Sequence, residues 1–218
     1  GGGGGLGRDL VKSLAEDFEV ITVGRQAPTG ATSHISLDLL SDDWELALEE
    51  TLPGPLYGAL HVAWPGAPRG GLMSSSKEMR RQQLSFGTDV LIGLAQILSR
   101  RIEPQGGRLI AIGSQVAHTR NVRLGAYVLG KSALETTMSL LAKELAPLRI
   151  ACNVISPGFM PVGINSKSSN REQLQEKAGV PMGRLCATTD VVAAVRYLLG
   201  EGAEFHTGRV LALWGGQE

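Results

Sequence analysis

The strongest constraint on this chain is its alternation of short apolar runs with stretches long enough to form helices. The runs are FEVITV (18–23), a short run ending at Asp38 and Leu39, PLYGALHVAW (55–64), GGRLIAIGS (106–114), LRIACNVISPGF (148–159) and GRVLALWGG (208–216). Between them lie helical patterns at about 41–50, 74–102, 126–146 and 188–200. Two parallel strands need a crossover of a dozen or more residues, usually a helix. A chain that repeats strand and helix in this way therefore predicts an α/β fold, a doubly wound and mostly parallel sheet covered on both faces. At 218 residues it reads as one domain, spanning 1–218, with enough chain to bury a sizeable core.

The chain opens on GGGGGLGRDLVKSL, a glycine loop that runs into an amphipathic helix. Gly1, Gly5 and Gly7 give the spacing GxxxGxG, which lets backbone amides and a helix N-terminus approach a pyrophosphate closely. A run of five glycines also suits a flexible linker, and only the helix and strand that follow favour the phosphate cradle. Such a loop should follow a buried central strand, and no residue precedes Gly1. The expectation is that a first strand is missing from the supplied chain. The second strand ends at Val23, Gly24, Arg25. An acid at that point accepts from a free ribose 2'-hydroxyl, whereas a guanidinium pairs with a 2'-phosphate, so Arg25 favours NADP(H).

Composition removes several functional classes. Lys plus Arg and Asp plus Glu are equal at 21 each, which gives no global electrostatic case for nucleic acid or an anionic membrane. Cys152 and Cys186 offer no disulfide framework, and the four histidines have no metal-ligand spacing, so no metal is expected. With no apolar run of spanning length and no signal peptide, the chain reads as cytoplasmic, acting on small molecules or on copies of itself. Residues 159–189 are polar and irregular, with a short helix expected near 171–177, and lie just past a strand's C-terminal end, where a substrate lid or a surface loop would sit.

The chemistry is concentrated between Ser114 and Lys131. Tyr127 and Lys131 are four residues apart at the start of a helical pattern, so their side chains share a face. A free phenol has a pKa of about 10 and needs roughly 4 kcal/mol of help to act near neutrality. A lysine ammonium about 4 Å away supplies that order of energy at a dielectric of about 20. Ser114, at the end of a buried strand, is placed to donate to a carbonyl oxygen that Tyr127 protonates. Taken alone, YxxxK is also an ordinary helix face with a snorkelling lysine. His118, Arg120 and Arg123, in the loop before Tyr127, read as a solvated basic loop or a substrate mouth favouring an anion. Trp64 and Trp214 read as packing residues.

In order and spacing, several motifs together resemble the short-chain dehydrogenase/reductase family in its compact single-domain branch. They are the GxxxGxG loop, Asp38-Leu39, Ser114, Tyr127-xxx-Lys131, Pro157-Gly158 and Thr207-Gly208. The resemblance covers essentially the whole chain and implies a Rossmann fold. It makes Ser114, Tyr127 and Lys131 the catalytic residues, with Lys131 also holding the nicotinamide ribose. It places Gly1, Gly5, Leu6, Gly7, Arg25, Asp38, Leu39, Ala63, Gly66, Tyr127, Lys131, Pro157 and Gly158 on the cofactor, Asp38 and Leu39 against adenine and Pro157-Gly158 beside nicotinamide. The implied activity is an NADP(H)-dependent ketoreductase acting on a small ketone or alcohol, free or acyl-thioester-linked, in a homodimer or homotetramer.

The departures from the family pattern are specific. Asn-Asn-Ala-Gly is replaced by Ala63-Trp64-Pro65-Gly66, and the helix asparagine of the proton relay by Gly87 or Phe86. The threonine after the Pro-Gly turn appears as Val162. They keep two alternatives open: a cofactor-sensing or scaffold protein on the same fold, and a dehydratase or epimerase using the same tyrosine.

Overall fold

The computed structural model describes residues 1–28 and 30–217. In chain order the elements are α1 (Gly5–Leu14), β1 (Ile21–Gly24), β2 (Ser33–Ser36), α2 (Trp44–Thr51), β3 (Gly58–His61), α3 (Lys77–Gly87) and α4 (Asp89–Arg101). They continue with β4 (Gly107–Ile112), α5 (Val116–Thr119), α6 (Gly125–Leu145), β5 (Ile150–Pro157), α7 (Asn170–Ala178), α8 (Thr188–Leu199) and β6 (Arg209–Leu213). Every strand pairing is parallel, in a four-stranded sheet of order β3-β4-β5-β6 and a two-stranded sheet of β1 and β2.

β4 shows why this sequence covers both faces of the sheet. Its residues alternate by the two-residue period of a strand. Leu109 and Ala111 pack with Leu91 and Leu98 of α4 and Leu134 and Met138 of α6. Ile110 and Ile112 pack on the opposite side with Leu10 and Leu14 of α1 and Val191, Val195 and Leu198 of α8. The doubly wound arrangement follows directly from that alternation. A third cluster joins Trp44 and Leu48 of α2 to Val90 and Ile97 of α4.

The helical pattern at 74–102, which suits one long helix or a helix pair, is a pair divided at Thr88, whose backbone (φ −125°, ψ −80°) is not helical. Within residues 159–189 the short helix expected near 171–177 is α7, nine residues long. β1 and β3 do not pair with each other. Between them runs an apolar cavity of about 480 Å³, lined by residues including Leu10, Ile21, Val23, Ala59 and Ile97. It lies where the expected central strand would run. Gly1 caps one end of this slot, its nitrogen donating to the Val23 carbonyl at 2.9 Å. No helix among the described residues is long and apolar enough to cross a membrane.

Candidate active site

A cavity of about 910 Å³ is lined by residues at or just beyond the C-terminal ends of β1, β3, β4 and β5, the edge at which open parallel sheets bind ligands. Gly1, Gly5, Leu6 and Gly7 form part of its lining, where α1 begins. The first amides of that helix have no partner one turn earlier and carry the positive end of its dipole. Glycine is required here by close approach. A Cβ on Gly7 would lie 2.2 Å from the Gly1 carbonyl oxygen, and one on Gly1 would lie 2.4 Å from the Ala63 nitrogen. At positions 1 and 7 the loop has no room for a side chain, so these residues offer only backbone to an anion. Leu6 touches the cavity and also packs into the core with Leu10.

Arg25, Asp38 and Leu39 line the cavity beyond β1 and β2. Asp38 accepts from the Leu40 amide at 3.1 Å, which shapes that turn. Ala63, Pro157 and Gly158 line it from β3 and β5. Gly66 does not belong to the lining. Its carbonyl accepts from Gln83 Nε2 at 3.0 Å, and Trp64 and Pro65 face the cavity in its stead. Met160, Val162 and Gly163, from the stretch that precedes α7, also line it, and a Cβ on Gly5 would touch Gly163 at 3.2 Å. The segment expected as a lid thus starts directly over the glycine loop.

Ser114, Tyr127 and Lys131 all line this cavity. The 21-residue α6 sets Tyr127 and Lys131 one turn apart on a face that is buried against the sheet. Ser114 follows β4 and hydrogen-bonds the Tyr127 hydroxyl. Lys131 donates to the Ile112 carbonyl at 2.7 Å. The electrostatics differ from the sequence expectation. Burial pushes the Tyr127 phenol up to about 12, against which the Ser114 hydrogen bond works. Burial also holds Lys131 well below the usual lysine range, with Glu135 opposing it. Lys131 Nζ lies 5.8 Å from the phenol ring centre, and burial decides the outcome: the phenol stands above its ordinary value in the protein alone.

Trp64 is the residue whose role sequence reasoning missed. Its indole face lies 3.4 Å from Lys131 Nζ and its ring centre 6.0 Å from that of Tyr127. Trp64 Nε1 donates to Gln83 Oε1 at 2.7 Å, which fixes the ring. The only signal available was its position beside the altered glycine turn. His118 corrects the reading of a solvated loop: its Nε2 lies 2.9 Å from Glu135, and its ring lies against Trp214 with centres 4.7 Å apart. Arg120 and Arg123 are exposed. The relay asparagine could not stand at position 87, since a Cβ there would lie 2.4 Å from the Gly130 carbonyl of α6. Phe86 instead packs edge-on to Trp64, and its carbonyl hydrogen-bonds His61 Nε2 at 2.8 Å.

A parallel α/β sheet with a glycine-lined helix N-terminus, and a Ser-Tyr-Lys set on the same cavity, is the layout of a dinucleotide-dependent oxidoreductase. The family model described as enoyl-(acyl carrier protein) reductase matches residues 44–218, and the chain belongs to the short-chain dehydrogenase/reductase family. The chain is 22% identical to the 3-oxoacyl-[acyl-carrier-protein] reductase FabG of Buchnera aphidicola, over 97% of this chain and 92% of that protein. It is 27% identical to the L-xylulose reductase of Bos taurus, over 99% and 93%. The solved structure of the TT0495 protein from Thermus thermophilus superposes with a TM-score of 0.88 at 29% identity, covering 99% of this chain and 95% of that one.

Proposed function

We propose that the protein is an NADP(H)-dependent ketoreductase that reduces a small carbonyl compound to an alcohol. The observation that carries this reading is the presence of Ser114, Tyr127 and Lys131 on one wall of the cavity that holds the glycine loop. The residues present fit a dinucleotide, since Gly1 and Gly7 admit no side chain and leave backbone amides toward a diphosphate. Arg25 suits a 2'-phosphate, and Asp38 with Leu39 suits the adenosine end. When bound, the nicotinamide supplies the hydride to the carbonyl carbon. Ser114 donates to the carbonyl oxygen, Tyr127 gives that oxygen its proton, and Lys131 holds the ribose and the positive charge that stabilises a phenolate. The names of the two reductases above support a ketone as substrate, including a thioester-linked one.

Two substitutions test the reading. Tyr127→Phe should abolish NADPH oxidation with a panel of ketones and β-ketoacyl thioesters, a loss of at least about a hundredfold, while NADPH binding by fluorescence stays near wild type. Retained turnover would remove Tyr127 from the chemistry. Arg25→Asp should weaken NADPH much more than NADH, and equal effects on the two would refute the cofactor preference.

The raised Tyr127 phenol and a Lys131 held below the usual lysine range favour a second reading, a protein that binds the dinucleotide and turns over little or nothing. Binding without oxidation across the whole panel would select it.

A further inference from the structure

Behind Lys131, a line of polar groups leads away from the cavity, and the ketoreductase reading leaves it unused. Glu135 is one helical turn beyond Lys131 on α6, so Tyr127, Lys131 and Glu135 follow one another along the same face. One Glu135 oxygen, Oε2, pairs with His118 Nε2 at 2.9 Å. The other, Oε1, is buried and meets no protein donor among the described residues. It lies beside Gly113, where an added Cβ would be 3.3 Å from it. The Ile112 carbonyl immediately before Gly113 is the one that accepts from Lys131 Nζ. The unpaired oxygen and the ammonium therefore meet the same end of β4.

The charged groups that act on Glu135 are His118, from α5, and Lys131, from its own helix. Burial raises the Glu135 carboxyl from its ordinary value, and His118 and Lys131 oppose that rise. The His118 side chain, 39% exposed, reaches solvent. A buried acceptor without a protein partner next to a cation is the kind of place a bridging water satisfies.

We propose that His118 and Glu135 form a proton path from solvent to Lys131, taking the place of the relay asparagine, for which position 87 of α3 has no room. The inference rests on the ketoreductase reading. In each reductive cycle the Tyr127 O–H bond breaks and its proton joins the product oxygen, while the hydride comes from the dinucleotide. The phenolate is reprotonated at the expense of the Lys131 ammonium. The Lys131 amine takes a proton from the Glu135 carboxyl through one water, Glu135 takes the Nε2 proton of His118, and His118 is recharged from solvent. One proton enters for each one that leaves on the product. Neither Glu135 nor His118 touches substrate; both act through Lys131.

Glu135→Gln keeps an acceptor for His118 and cannot pass a proton. Because Tyr127 begins each cycle protonated, a single turnover of NADPH-loaded enzyme should keep its rate, whereas steady-state turnover should fall by about tenfold or more. His118→Ala should show the same split and recover with added imidazole. An independent reading comes from the unliganded protein: carboxyl NMR should find the Glu135 midpoint higher in Lys131→Met than in wild type, since the nearby positive charge is gone. The proposal is overturned by wild-type turnover in Glu135→Gln or by an equal fall in both kinetic regimes, which marks an ordinary structural ion pair. A Glu135 midpoint indifferent to Lys131 overturns it as well. If wild-type protein transfers no hydride in a single turnover, the ketoreductase reading fails, and the NMR comparison still decides whether the two groups are coupled.

Discussion

Trp64 gives Lys131 something that water otherwise provides. An ammonium in a dry site is costly, and an aromatic face at 3.4 Å returns on the order of 2 kcal/mol when the pair is desolvated. Trp64→Leu should remove that support and depress Lys131 further. The alkaline limb of the NADPH-dependent rate should then move about one unit toward lower pH, with Trp64→Phe between the two. A limb that stays in place in both variants would separate Trp64 from Lys131. At this scale the sequence was informative about which residues meet and poor about their charge states. Ser114, Tyr127 and Lys131 were legible because helix periodicity and a strand end determine their positions. The raised phenol was not, because burial depends on what α6 packs against, and no local pattern records that. Trp64 was hidden for the same reason: the surface it covers belongs to α6, 67 residues further along the chain.

The closest packing of elements near the site is that of α3 against α6. Gly87 and Gly130 make it possible, since a Cβ at 87 would lie 2.4 Å from the Gly130 carbonyl and one at 130 would lie 2.5 Å from the Gln83 carbonyl. Backbone atoms cannot yield as a flexible side chain can. Gly87→Ala should therefore force the helices apart at a cost of about 2–3 kcal/mol, despite the better helix propensity of alanine. In thermal unfolding that is a fall of roughly 5–10 °C for a chain of this size. Gly54→Ala, with nothing within 4 Å of the added carbon, is the control and should leave the midpoint nearly unchanged. A fall equal in both would show that the close contact is not what the glycine serves. The elements themselves were largely readable. All six strands and the longer helices lie where apolar period and length put them, because each buries a face that its own sequence marks. The exact point of the break, Thr88, and the full length of the helix at 170–178 were not readable. The first depends on how α3 meets α6, and the second has too few apolar residues to show a period.

Across the whole molecule, burial of ionisable groups sets how stability follows pH. His61 is 2% exposed, and burial, aided by Lys131, lowers its pKa from 6.5 to about 3. Between those values the unfolded chain takes up a proton that the folded protein refuses, so stability is fully present above about 6.5 and declines as pH falls toward 3. Lys131, also held low, acts in the same direction over a higher range, below the ordinary lysine value of 10.5. Tyr127 and Cys152 oppose this on the alkaline side. Burial raises each to about 12, so their contribution is lost as pH climbs through about 9 to 12. Glu135, which burial also raises, offsets part of the His61 effect as pH falls. The sum places maximum stability in the neutral to weakly alkaline range and makes the acid side steep. His61→Gln keeps a donor for the Phe86 carbonyl and has no proton to gain. Urea unfolding at about pH 7 and about pH 4.5 should therefore show wild type losing some 2–3 kcal/mol more than the variant. Equal losses would mean that the buried imidazole is solvated before the chain unfolds, and that the acid sensitivity of the fold originates elsewhere.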